Sequence, residues 1–190
     1  MDFTHKSRFV AGGHTTEAPS EISYSSFVSR DSVRLDFMIA ALNRIHIMSC
    51  DTENAYINAT NRENIWFEVG IEYGEDKGKV LVVVRALYGL KSAGLVWRAA
   101  LVEALVQLGF KSTKVNLDVW IQAAVCPDGF KYYEILFVYG NDILSLSHKA
   151  TEVITENDSF YKAKKGSIKR PDIYLGANID KVQMPDGREV

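Results

Sequence analysis

Residues 132–147, YYEILFVYGNDILSLS, constrain this chain more than any other stretch. Two apolar runs flank Gly140-Asn141, a pair suited to a tight two-residue turn. The runs are therefore expected to pair antiparallel, as a hairpin within a larger sheet. Asp142 stands at the tip of that turn. Aspartate is common in turns because its side chain bonds its own backbone, so on spacing alone Asp142 is a turn residue.

The rest of the chain alternates strands and helices around this hairpin. HKSRFVAG reads as a short strand closing on Gly12-Gly13, followed by a polar Ser/Thr-rich loop. VRLDFMIAALNRI places Val33, Phe37, Ala40, Ala41 and Ile45 at helical spacing, with Ser29 or Asp31 as N-cap and an end near Asn43. IHIMSCD then reads as a strand running into Asp51. NIWFEV is a short strand and KVLVVVRAL a longer one, joined by the turn-rich GIEYGEDKG. LVWRAALVEALVQLG is an amphipathic helix with Trp97, Leu101, Leu105 and Leu108 on one stripe and Gly109 as its stop. LDVWIQAAV is a strand, CPDGF a hairpin turn, HKATEVITENDSFY a helix, and IYLGANIDKV a final strand. The segment between them, YKAKKGSIKR, carries five basic residues in ten. The order β-α-β-β-β-α-β-β-α-β predicts an α+β domain, two helices on one face of a mainly antiparallel sheet.

Composition removes several function classes. With 190 residues, 47% hydrophobic and 24% charged, the chain has the material for one domain with a real core. Its formal charge of −2 advertises no global field for nucleic acid, which leaves local patches. Apolar runs stop well short of the 18 or so residues of a membrane span, and MDFTHKSRFV has no apolar core of a signal peptide. Two cysteines make no disulfide framework, so a reducing, intracellular setting is expected, without secretion or membrane partners. Four scattered histidines show no zinc-ligand spacing with them.

Two aspartates stand out by position. Asp51 lies where a strand ends and Asp142 at the hairpin, and neighbouring strands can bring both carboxylates to one sheet edge. Phosphoryl transfer onto a sugar hydroxyl uses such an arrangement, with two Mg²⁺ ions about 3.5–4 Å apart held by hard oxygen ligands.

Five segments, in order, resemble the reverse transcriptase of Ty1/copia-type LTR retrotransposons. KSRFVAGG resembles K-x-R-x-V-A-x-G, DTENAYINA resembles D-V-K-T-A-F-L-N-G, and ALYGLKSAGLVW resembles S-L-Y-G-L-K-Q-A-P-R-x-W. FVYGNDIL stands where L-Y-V-D-D-I-L is expected, and GSIKRPDIYLGANI resembles G-x-x-x-x-Y-L-G-I-x-I. The resemblance covers nearly the whole chain. It implies a right-hand polymerase, an antiparallel palm sheet backed by helices, with partial fingers at about residues 1–30 and 60–90 and palm for the remainder. It implies templated dNTP addition to a primer 3′-hydroxyl on RNA or DNA, with two Mg²⁺ ions (or Mn²⁺) as cofactor and the rest of the retroelement polyprotein as partner.

Roles carry over by position. Asp51 and Asp142 match metal-binding aspartates, and Thr52 offers a backbone carbonyl to the metal. Tyr56 matches the aromatic that stacks under the incoming sugar and rejects a 2′-hydroxyl. Asn54 and Ala55 lie where backbone N–H groups approach the triphosphate. Lys6 and Arg8 match fingers cations, the Arg fork pairing two phosphate oxygens. Gly89 matches the glycine that lets the backbone approach template or dNTP, and Lys91 follows it as a phosphate contact.

The chain departs from the family in three places. The paired aspartates read Asn141-Asp142, and an amide oxygen brings no negative charge and bridges two metals poorly. K-Q-A-P-R reads Lys91-Ser92-Ala93-Gly94-Leu95, which softens the start of the following helix. The earlier fingers strands, the thumb and the RNase H region have no counterpart, so a truncated, decayed copy is expected. The alternatives are a non-catalytic nucleic-acid-binding palm remnant and an unrelated α+β domain.

Overall fold

The structure is a computed structural model that describes residues 9–14, 16 and 28–185; Lys6 and Arg8, and most of the first expected strand, lie outside them. The elements begin with α1 (Arg30–Asn43), β1 (His46–Asp51), α2 (Ala55–Asn58), β2 (Trp66–Glu68) and β3 (Val80–Val82). They continue with α3 (Ala93–Gln107), β4 (Lys111–Ser112), β5 (Val119–Val125), β6 (Lys131–Tyr139) and β7 (Asp142–Ser147). The last are α4 (Ala150–Asp158), β8 (Ile173–Tyr174) and β9 (Ala177–Asn178). The chain divides into two compact units, one of Met1–Ser25 with Asn54–Leu101 and one of Ser26–Glu53 with Val102–Val190. Helix α3 runs through the boundary, burying Trp97, Leu101 and Leu105 of the predicted stripe with Ala104 beside them, while Leu108 is only partly buried.

The second unit is built on a five-stranded antiparallel sheet of order β1-β7-β6-β5-β4. Its centre is the predicted hairpin. Tyr139 pairs with Asp142 across Gly140-Asn141, and Gly140 sits at φ 62, the positive value that the first central residue of a type II′ turn requires. Alternation along the strands then sorts the faces. Phe137, Leu144, Leu146, Ile135 and Val119 join Val33 and Ala40 of α1 and Tyr174 in one apolar cluster. Helix α4 lies along β1 and β7, burying Val153 and Ile154 outside that cluster.

The two helices therefore cover different faces, where the sequence pattern suggested one. The reason is in the hairpin: Ile135 to Val138 and Ile143 to Ser147 are buried without a break, so both faces must be covered. Ser29 caps α1, its Oγ accepting from the Ser32 N–H at 3.1 Å, and Arg44 ends the helix in the left-handed region at φ 54.

The final strand also differs from expectation. IYLGANIDKV folds back on itself as the β8–β9 hairpin, with Ile173 opposite Asn178. Leu175 at φ 48 and Gly176 at φ 78 supply the two positive values of a type I′ turn. A leucine is rare there, which is why the turn leaves little trace in the sequence.

In the first unit β2 and β3 pair as a short hairpin through a 3₁₀ turn at Ile71–Asp76. Strand β3 stops at Val82, shorter than the β-branched run suggests. From Val83 on the backbone turns to other partners: Val83 N–H donates to Ile65, and Ala86 N–H to Ala59.

Candidate active site

Asp51 is the last residue of β1 and Asp142 the first of β7, and the antiparallel register sets them directly opposite each other. Opposed residues of an antiparallel pair have Cβ atoms about 4.5–5.5 Å apart on one face, so two like charges face each other there. Partial burial, and then the Asp51 charge, push the Asp142 carboxyl above its ordinary 3.8.

Asn141 closes the site from the turn. Its Nδ2 donates to Asp51 Oδ1, and its carbonyl accepts from the Thr52 N–H at 2.8 Å. Thr52 is buried, and this bond ties the backbone after Asp51 to the turn. Lys164 approaches from the other side, its Nζ 3.7 Å from Asp51 Oδ2. Both oxygens of Asp51 thus face N–H donors.

The lysine is placed by backbone. Lys164 N–H donates to the Asp51 carbonyl at 2.8 Å and Glu53 N–H to the Lys162 carbonyl at 2.8 Å. Ser167 Oγ lies 3.2 Å from both the N and the O of Asp51, accepting from the first and donating to the second. Ser49 and Lys169 exchange bonds of 2.8 and 3.1 Å. The basic segment therefore runs along the edge of β1 that β7 does not use. Lys169 also pairs with Asp172 at 2.9 Å. The density of basic residues marks this segment in the sequence, but nothing there singles out Lys164 or Ser167.

Behind Asp51, Cys50 is buried, and its thiol is pushed up to about 12 by burial, then by Asp142, Asp158 and Asp51, against a backbone N–H from Ile143 that lowers it. It is a packing residue and no nucleophile.

The donor set decides what cation the site suits. Two opposed carboxylates, their repulsion only partly offset by Lys164, fit one divalent cation between them. They do not supply the third carboxylate for a second, and Asn141 presents N–H rather than oxygen to Asp51. Among the described residues no group of three or more Asp, Glu, His or Cys side chains is placed to hold a metal.

The remaining predicted residues, Asn54, Ala55, Tyr56, Gly89 and Lys91, belong to the first unit. Asn54 is left-handed at φ 50 and starts α2, with Ala55 buried behind it. The Tyr56 ring lies 4.6 Å from that of Tyr88, tilted by 57°. Gly89, at φ 91, is needed by the chain's own backbone: a Cβ there would stand 2.1 Å from the Ala11 carbonyl oxygen. Lys91 Nζ donates to the Thr16 carbonyl at 2.7 Å. Among the described residues no helix is long and apolar enough to cross a membrane.

The Transposon Ty1-BL Gag-Pol polyprotein of Saccharomyces cerevisiae is 29% identical over 137 residues, 65% of this chain and 8% of that protein. The Transposon Ty1-DR4 and TyH3 Gag-Pol polyproteins of the same yeast are each 29% identical over 108 residues, 56% of this chain. The chain thus spans less than a tenth of the length of these relatives, 6–8%. A sequence profile described as reverse transcriptase (RNA-dependent DNA polymerase) matches residues 1–183, and the chain belongs to that family, as a reverse transcriptase domain of the Ty1/copia type.

Proposed function

We propose that this domain is a template-directed DNA polymerase module whose chemistry is weakened at Asn141. The observation that carries the reading is the direct pairing of Asp51 with Asp142 beside a turn that holds an amide. The five-stranded sheet serves as the palm, and residues of the first unit as part of the fingers. Asp51 and Asp142, with the Thr52 carbonyl, would hold Mg²⁺ or Mn²⁺. The bound cation would supply Lewis-acid stabilisation of the transferring phosphoryl group, a contribution of several kcal/mol. Asp142, at the exposed start of β7, would hold the cation where a primer 3′-hydroxyl can reach it. Tyr56 serves as the steric wall under the incoming sugar, and Lys6, Arg8, Asn54, Ala55, Gly89 and Lys91 meet the triphosphate. Primer–template and dNTP are the substrates, and the remaining polyprotein is the partner.

Asn141 leaves the turn intact, since Gly-Asn suits it, and removes a charge from the metal site. Each 1.36 kcal/mol lost is about tenfold in rate, so poor cation binding costs orders of magnitude. A second reading is a palm that binds nucleic acid without chemistry; the amide donor on Asp51 Oδ1 and the ammonium 3.7 Å from Oδ2 favour it. Mg²⁺-dependent dNTP incorporation on a primed RNA template, for this protein and Asn141→Asp, separates the two. A gain of tenfold or more in the variant supports the weakened polymerase. Full activity of the unaltered chain overturns the impairment. Inactivity of both, with salt-dependent primer–template binding, selects the binding module.

A further inference from the structure

We infer that Lys164 is a built-in counter-ion of the Asp51–Asp142 pair, so that a divalent cation binds there only by displacing it. The inference rests on the proposed cation site and adds a residue to it. Three observations carry it. Lys164 Nζ stands 3.7 Å from Asp51 Oδ2 as an ion pair, while Asn141 Nδ2 donates to Oδ1, so a positive charge and an amide already stand beside the oxygens a cation would use. The lysine's position is imposed, because its own N–H and the flanking Ser167 hydroxyl are bonded to the Asp51 backbone. The ammonium remains movable, since its side chain is 56% exposed against 34% for Asp51, and a partly exposed ion pair yields readily to a divalent ion.

The arrangement works in two states. Without a divalent cation, one ammonium offsets part of the repulsion between two opposed carboxylates. With it, Lys164 swings into solvent and the cation takes over its role. The lysine is a positioning residue and a competitor; it touches no reacting atom in this scheme.

Mn²⁺ binding and thermal unfolding of the full chain test this, with Lys164→Met, Lys164→Gln and Lys164→Arg beside the unaltered protein. In metal-free buffer Lys164→Met and Lys164→Gln unfold about 1–3 °C lower, from the loss of a partly exposed ion pair. The same variants bind Mn²⁺ about two- to fivefold tighter, the competitor's contribution converted to affinity. Saturating Mn²⁺ therefore erases their deficit in melting temperature, and Lys164→Arg behaves as the unaltered chain. An equal deficit with and without Mn²⁺ marks a merely structural lysine and overturns the inference. Equal Mn²⁺ affinity in all four proteins overturns it while leaving the cation site in place. Absence of Mn²⁺ binding in all four overturns both the inference and the cation part of the proposed function.

Discussion

Replacing Asn141 by aspartate restores the family's residue and should make the metal-free protein less stable. The amide now donates to Asp51 Oδ1, and a hydrogen bond to a charged group contributes about 1.5–3 kcal/mol when buried. Asp51 is 34% exposed, so the lower end, roughly 1–2 kcal/mol, is the reasonable figure here. The variant loses that donor and puts a third carboxylate beside two that already face each other. Two unit charges 4 Å apart repel by about 1 kcal/mol in water and about 4 at the effective dielectric of a protein surface. Together the two effects come to roughly 2–6 kcal/mol, or about 4–24 °C in unfolding temperature for a chain of this size.

The sign is the informative part. The deficit should shrink in high salt, which screens exposed charges, and below about pH 4, where carboxylates protonate. Mg²⁺ should reverse it, because three carboxylates bind the ion better than two, and a ligand that binds only the folded state stabilises it. Differential scanning fluorimetry at pH 7.5, in EDTA and in Mg²⁺, reads all of this, and Asn141→Ala separates the lost hydrogen bond from the added charge. Asn141→Asp as stable as the unaltered chain in EDTA would refute the reasoning, since Asn141 would then contribute nothing to holding Asp51.

Three further outcomes follow from the same geometry. Asp142→Asn should raise the unfolding temperature at pH 7: the folded protein holds the Asp142 proton more tightly than the unfolded chain does, so the carboxylate's penalty sets in as pH rises above 3.8 and is absent well below it. A pH series of melting temperatures checks this, and a variant less stable than the unaltered chain at pH 7 contradicts it. Iodoacetamide at pH 8 should modify Cys126 and spare Cys50, whose buried thiol is pushed up to about 12; mass spectrometry of the native protein finding Cys50 alkylated at a similar rate contradicts it. Gly140→Ala should cost about 1 kcal/mol or more through backbone strain at φ 62 alone, since a Cβ there meets nothing within 4 Å; chemical denaturation measures it, and an unchanged midpoint contradicts it.

The elements that could be read from sequence are those whose determinants are local. Ser29 caps α1 and Gly140-Asn141 turns the hairpin because each acts within four residues. The pairing of Asp51 with Asp142 joins positions 51 and 142, far apart in sequence; position alone made it possible, and the family motif made it the expectation. What misled was also physical. The β-branched run after Lys79 satisfies any strand, yet only Val80–Val82 pair, because the partner strand β2 is three residues long. The β8–β9 turn went unread because Leu175 occupies a conformation that leucine seldom takes.

The segment Tyr161 to Arg170 shows where local reading ends. A strand has two edges, and β7 takes only one edge of β1. The other edge leaves donors and acceptors that must be paired or solvated. Here an irregular, lysine-rich stretch pairs them, at Asp51 with Lys164 and at Ser49 with Lys169. Such pairing uses main-chain groups, so it imposes no period on the side chains and leaves no signature in the segment itself. Its charges are redirected in consequence. Of five basic residues, Lys164 faces Asp51 and Lys169 faces Asp172, so at most three can serve phosphate while those pairs persist. The density of positive charge in the sequence thus overstates what the folded chain offers a nucleic acid, and part of it answers the carboxylates of the site.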